Sequence, residues 1–173
     1  RLAGVERIVT ICTRLDRFET IKAIADPYND VFTGVGVHPH EAGAVGIDAP
    51  EPLLALAEDP KMVGVGETGL DYFYDLAPKD AQRRSFEAHI PAARALDMPL
   101  IIHTRDADDD TLRVMDEEYR DGGPFPGLIH CFSAGREVAE KAVAMGLYIS
   151  ISGIVTFKNA EDLRETVKDV PLD

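Results

Sequence analysis

Six short, nearly unbroken apolar or glycine-rich runs, at 5–12, 31–37, 62–66, 100–102, 127–132 and 147–151, constrain this chain more than any other feature. Runs of that kind predict parallel strands covered on both faces. Between them the apolar residues recur near the helical period: Phe18, Ile21 and Ala25; Phe86, Ile90, Ala93 and Leu96; Val138, Ala142 and Met145. Ser133 and Gly146 bracket the third stretch as an N-cap and a C-terminal glycine, and Pro91 inside the second predicts a kink. Strands alternating with helices give an α/β protein with a parallel sheet.

Two architectures meet that description, an open doubly wound sheet and a closed (β/α)8 barrel of the TIM type. The strand ends choose between them. The second run stops at His38 in GVHPHE, the third at Glu67 in GETGLD, the fourth at His103 in LIIHTRD, and the fifth bears His130 in LIHCFS, at intervals of 29, 36 and 27 residues. In a barrel such ends converge on one mouth, whereas in an open sheet they fan out along an edge. The barrel is therefore expected. A complete barrel takes about 250 residues, roughly 31 per unit. This chain of 173 residues holds about six of the eight units. The expectation is a single catalytic barrel domain over residues 1–173, incomplete, lacking the first strand and the last units, and Arg1 in place of a methionine fits such a piece.

At 45% hydrophobic and 28% charged residues the chain can bury a substantial core and shows no disordered composition. No apolar stretch approaches the roughly 20 residues that span a bilayer, and no basic segment precedes an apolar one as in a signal peptide. A cytoplasmic protein without membrane contact is expected. Cys12 and Cys131 lack any framework spacing, so two reduced thiols are expected rather than a disulfide. A formal charge of -13 argues against a general polyanion binder. Any nucleic-acid substrate needs cations supplied locally.

Glutamate and histidine gathered at one mouth are ligands for a divalent ion, imidazole favouring zinc and carboxylate accepting magnesium or manganese. A carboxylate can also bridge two cations about 3.5–4 Å apart, which act together on a displacement at phosphorus. Glu67, with Gly66 and Gly69 nearby, suits that place because small neighbours allow close approach. A lone histidine at a strand end is more often an ordinary core or surface group, and His89, on a helix among charged residues, is assigned to that class. His103 and His130 recur with Glu67 at equivalent strand ends, which favours a metal site. His38 and His40 either belong to the site or flank a turn at Pro39. Asp71 either stands behind the ligands or is a turn residue. Arg105 could hold a phosphate and Asp106 orient an imidazole; the alternative is a salt bridge at a helix start. The run 106–110, DADDD, fits the acidic start of a helix.

GVHPHE, GETGLDYF, PLIIHTRDA and IHCFSAG, in that order, resemble the TatD-type metal-dependent deoxyribonucleases of the amidohydrolase superfamily over essentially the whole chain. The resemblance implies Glu67 as a bridging ligand, His103 and His130 as further ligands of the second metal, and His38 as a catalytic and substrate-binding residue that contacts phosphate or water. It implies a cytoplasmic hydrolase with two divalent ions, magnesium, manganese or zinc, cutting phosphodiester bonds in DNA, with single strands or 3′ ends as substrate and a 3′–5′ exonuclease mode. Removal of D-amino acids from tRNA, or another hydrolysis on the same scaffold, is the alternative, and an inactive fragment with a binding or structural role is a third. The family's HxH motif on the first strand is absent here, as is its late-strand aspartate. From this chain alone at most one ion is therefore expected. Ala134 stands in HCFSAG where the family more often has glycine.

Overall fold

The computed structural model describes residues 4–172. Strands and helices alternate along it: β1 (Ile8–Cys12), α1 (Phe18–Ala25), β2 (Val31–Val35), the single-turn helices α2 (Ala42–Val45) and α3 (Glu51–Leu54), β3 (Met62–Asp71), α4 (Lys79–Leu96), β4 (Leu100–Arg105), α5 (Asp108–Gly122), β5 (Gly127–Ile129), α6 (Arg136–Ala144), β6 (Tyr148–Ile149) and α7 (Glu161–Lys168). All six strands lie in one sheet, in the order β1-β2-β3-β4-β5-β6, and every pair is parallel. A doubly wound sheet reverses its strand order at a switch point. This one never reverses, which is the topology of successive staves of a barrel.

Burial is uneven along that arc. β3 is almost wholly buried and ten residues long, whereas β1 leaves Ile8 and Val9 half exposed and β6 is two residues with Tyr148 largely in solvent. Among the described residues, β1 and β6 each pair with one neighbour. The core runs from Val35, Val65, Leu100, Ile102 and Ile129 on the sheet to Phe86, Ile90, Val114, Met115, Val138 and Ala142 on the surrounding helices. Phe86, Ile90, Val138 and Ala142 belong to the apolar stripes that the period predicts, and Val114 and Met115 add a further stripe on α5.

Strand lengths depart from the apolar runs in an instructive way. β3 and β4 continue past Gly66 and Ile102 to Asp71 and Arg105. Their ends are polar because they form the mouth, so hydropathy alone stops short of them. β1 begins at Ile8 and β6 is confined to Tyr148–Ile149, at the ends of the arc where pairing is one-sided. The cap of α6 is Gly135 and not Ser133; the Gly135 N–H donates to Asp108 Oδ2 at 2.7 Å. Gly146 does follow α6, with φ +81. α4 runs through Pro91 as one helix from Lys79 to Leu96. α5 starts at Asp108 with three aspartates in its first turn, as the helix dipole favours. Cys12 and Cys131 are free thiols. No helix among the described residues is long and apolar enough to cross a membrane.

Candidate metal centre

The alternation of a strand explains how one short segment builds most of the site. Glu67, Gly69 and Asp71 follow one another at the two-residue spacing that shares a face, and Gly69 pairs in register with His103 on β4. With no side chain at Gly69, the imidazole of His103 lies between the two carboxylates. Its Nδ1 is 3.1 Å from Glu67 Oε1 and its Nε2 is 2.9 Å from Asp71 Oδ2. The register of β3 on β4 shifts between Gly66 and Thr68, leaving Glu67 as the extra residue of a bulge, a device that re-aims a side chain.

Gly66 and Gly69 are required here by backbone geometry. Their φ values are +134 and +130, and a Cβ on Gly69 would lie 2.0 Å from the His103 carbonyl oxygen. Close approach of backbone to backbone, more than room for a ligand, is what these glycines provide.

Asp71 is the organising group. Its side chain has no exposed surface, and its two oxygens take four partners: Oδ2 faces His40 Nε2 and His103 Nε2, each at 2.9 Å, while Oδ1 accepts the N–H groups of Phe73 and Tyr74 at 3.1 and 3.0 Å. Its backbone is held as firmly. Gln82 of α4 accepts the Asp71 N–H through Oε1 at 2.8 Å and donates from Nε2 to the carbonyls of Asp71 and Ala77. Asp71 thus both stands behind an imidazole and closes a turn. Burial alone would raise its pKa, but the Tyr74 N–H, His40 and His103 hold it below the ordinary aspartate value.

Pro39 opens a 3-10 turn, Pro39–Glu41, that folds His38 and His40 onto one side with ring centroids 4.4 Å apart. The ring of His38 lies 4.8 Å from that of His103, and His38, Glu67 and His103 offer ligand atoms within 4.8 Å of one another. Hydrogen bonding separates their roles. His38 Nδ1 accepts the His40 N–H at 3.2 Å, so the neutral ring carries its proton on Nε2 and presents a donor rather than a lone pair. Burial pushes the His38 pKa down to about 4, which keeps the ring neutral.

His103 has the opposite setting. Its Nε2–H points at Asp71, which fixes the tautomer and turns the Nδ1 lone pair toward Glu67 once that nitrogen is deprotonated. A carboxylate behind an imidazole that faces a second carboxylate is the arrangement of a metal ligand and its supporting group. Burial disfavours the charged ring, yet Glu67 and Asp71 outweigh burial and raise the pKa of His103. Glu67, though buried, is held below the usual glutamate value by the His103 hydrogen bond and by the positive charge of His103. The donor set of imidazole and carboxylate fits a divalent ion.

Other candidates fall at different distances from this cluster. The backbone of His130 is fixed by its N–H to Ile102 O bond of 2.7 Å, and its ring is close enough for its charge to act on Glu67, but it lies outside the tight group of three donors. Arg105 places its guanidinium 4.0 Å from the centre of the Phe73 ring and 4.9 Å from that of Tyr74. Asp106, at φ +52, lines a cleft beside the mouth. The imidazole-orienting place expected for Asp106 is filled instead by Asp71, because β4 runs past His103 and carries Asp106 beyond the cluster. Neither Arg105 nor Asp106 makes an ion pair among the described residues, so the helix-start salt bridge does not form.

Gln82 escapes the sequence, whereas His89 takes the ordinary core place expected of it and adds a bracing contact. Gln82 looks like any polar residue in a helical first turn. His89 is wholly buried, donates from Nδ1 to the Ser85 carbonyl at 2.6 Å and accepts the Val37 N–H on Nε2 at 3.0 Å, which holds the backbone just ahead of His38.

The family model for TatD-related DNases matches residues 1–173. The protein named uncharacterized metal-dependent hydrolase YcfH, from Escherichia coli K12, is 42% identical over 170 residues, covering 98% of this chain and 62% of its own length. YabD of Bacillus subtilis, named in the same terms, is 37% identical over 173 residues, at 98% and 66%. A Shigella flexneri protein named 3′-5′ ssDNA/RNA exonuclease TatD is 31% identical over 173 residues, at 99% and 65%. The crystal structure of the E. coli TatD homologue YJJV superposes with a TM-score of 0.84 at 28% identity, over 98% of this chain and 65% of that one. An Entamoeba histolytica hydrolase of the TatD family shares the fold, with a TM-score of 0.80 at 23% identity. The chain spans a little under two thirds of the length of these relatives. It carries the parallel barrel-type sheet of that group together with a mouth of imidazoles and carboxylates, and it belongs to the TatD-related DNase family.

Proposed function

We propose that this chain contributes the catalytic mouth of a divalent-metal-dependent phosphodiesterase acting on DNA, as a 3′–5′ exonuclease on single strands. The observation that carries this is His103 held between Glu67 and Asp71, with the Asp71 side fixing the tautomer and the Glu67 side facing the mouth. The Shigella relative's name points to the substrate class. Glu67 and His103 would hold an ion, with His130 reaching in from the next strand, and a divalent cation there supplies Lewis acidity and activates water for attack at phosphorus. His38 donates its Nε2–H to a phosphoryl oxygen. Asp71 keeps His103 and His40 oriented and holds the adjoining loop. One ion per chain fits the donors present, and two belong to the whole protein.

A DNase assay on a single-stranded oligonucleotide, run beside a D-aminoacyl-tRNA assay, each with and without chelator, tests the proposal. Chelator-sensitive release of mononucleotides from the 3′ end is expected. Deacylation without DNA cleavage would replace it with the alternative hydrolase, and inactivity on both would leave a binding role.

A further inference from the structure

The loop after β3 carries two aromatic rings into solvent beside the cluster. Phe73 is 53% and Tyr74 50% exposed, so neither ring serves the core. They meet edge to face with centroids 4.9 Å apart, and the Arg105 guanidinium lies over both, donating to the Tyr74 hydroxyl at 3.4 Å. Apart from that bond the guanidinium makes no hydrogen bond and no ion pair among the described residues, although aspartates 106, 108, 109 and 110 line the same cleft.

The position of the loop is fixed by the carboxylate that organises the metal ligands. Asp71 Oδ1 holds the N–H groups of residues 73 and 74, and Oδ2 holds His40, whose ring meets Tyr74 edge-on at 5.3 Å. The aromatic pair and the imidazole cluster are therefore tied to the same carboxylate, with the rings adjacent to the mouth.

We propose that Phe73, Tyr74 and Arg105 form a stacking platform for an unpaired base of the substrate strand, next to the mouth lined by His38, Glu67 and His103. This rests on the nuclease function proposed above. A chain of formal charge -13, with an acidic wall beside its mouth, gains little from general attraction to phosphates. Stacking supplies affinity without a basic surface and without choosing among bases, since every base has a π-face. The guanidinium plane extends the platform and places one positive charge beside the strand. In a duplex the base faces are already stacked, so the platform selects frayed ends and single strands.

The test pairs protein variants with substrate variants, in the whole protein. Binding of a 5′-fluorescein thymidine decamer is followed by anisotropy with chelator present, and its cleavage with manganese; a second decamer is abasic at its last two 3′ positions. The Phe73→Ala/Tyr74→Ala variant should weaken binding of the intact strand roughly 5- to 150-fold, with little further effect on the abasic strand. Phe73→Trp should restore much of the loss, which a merely structural role for the ring would not predict. Equal losses on both strands, or wild-type affinity in the double alanine variant, would overturn the platform while wild-type cleavage leaves the nuclease standing. Base-dependent binding without cleavage would do the reverse. A wild type that neither binds nor cleaves either strand removes both.

Discussion

His103 and His89 are both enclosed by the same sheet and helices, and their chemistry runs in opposite directions. His103, at the mouth, has a carboxylate against each ring nitrogen, and the two negative charges lift its pKa despite burial. His89, beneath the mouth, touches only backbone, one carbonyl and one N–H, and burial pushes its pKa down to about 4. Burial disfavours the charged ring in both, although His103 keeps 21% of its side chain exposed, and what separates the two is what each nitrogen faces. One is a charge centre, the other a neutral strut.

The largest effect should come from removing charge at the mouth. Glu67→Gln should cut turnover by at least about 100-fold, with oligonucleotide affinity and melting temperature nearly unchanged. Wild-type turnover in that variant, with the wild type still chelator-sensitive, would exclude Glu67 from the ion.

Asp71→Asn comes next. The amide cannot accept from both imidazoles and two N–H groups in the same way, and loss of such a supporting group typically costs about 10–100-fold in metal affinity or activity. Because Asp71 also holds the aromatic loop, this variant should additionally weaken strand binding. Unaltered manganese affinity by calorimetry would mean that His103 is oriented by something else.

His89→Ala should act on stability first. It empties a core position and leaves the Val37 N–H unpaired, about 2–4 kcal/mol of destabilisation together, measurable by denaturant titration. His89→Gln, which can still accept from Val37, should recover part of it. A full loss of activity at unchanged stability would instead place His89 at the chemistry.

The smallest signature is in pH. A histidine whose pKa falls from 6.5 unfolded to about 4 folded binds its proton more readily when unfolded, so stability is complete above pH 6.5 and declines as pH falls toward 4. The full shift corresponds to an upper limit on the order of 3 kcal/mol for His89, and His38 adds to the same window. Melting temperatures from pH 7.5 to 4.5 should fall less steeply in His89→Gln than in the wild type. Identical slopes would mean that His89 is not buried neutral.

Much of this was legible in the residues. The apolar runs, the glycine after α6 and the acidic start of α5 reflect local preferences and a two- or 3.6-residue period, which need no distant partner. The recurrence of His38, Glu67, His103 and His130 in successive units likewise follows from repetition of one βα unit. By itself, then, the sequence determined the alternating parallel architecture, the mouth and the imidazole and carboxylate residue types gathered there. Tertiary structure alone decided that Asp71, not Asp106, orients an imidazole, that His38 presents a proton while His103 is held between two carboxylates, and that Gln82 and His89 brace the site from below. The reason is physical: a side chain's identity is local, but the protonation and direction of each nitrogen depend on partners brought together by the β3–β4 register and its bulge at Glu67.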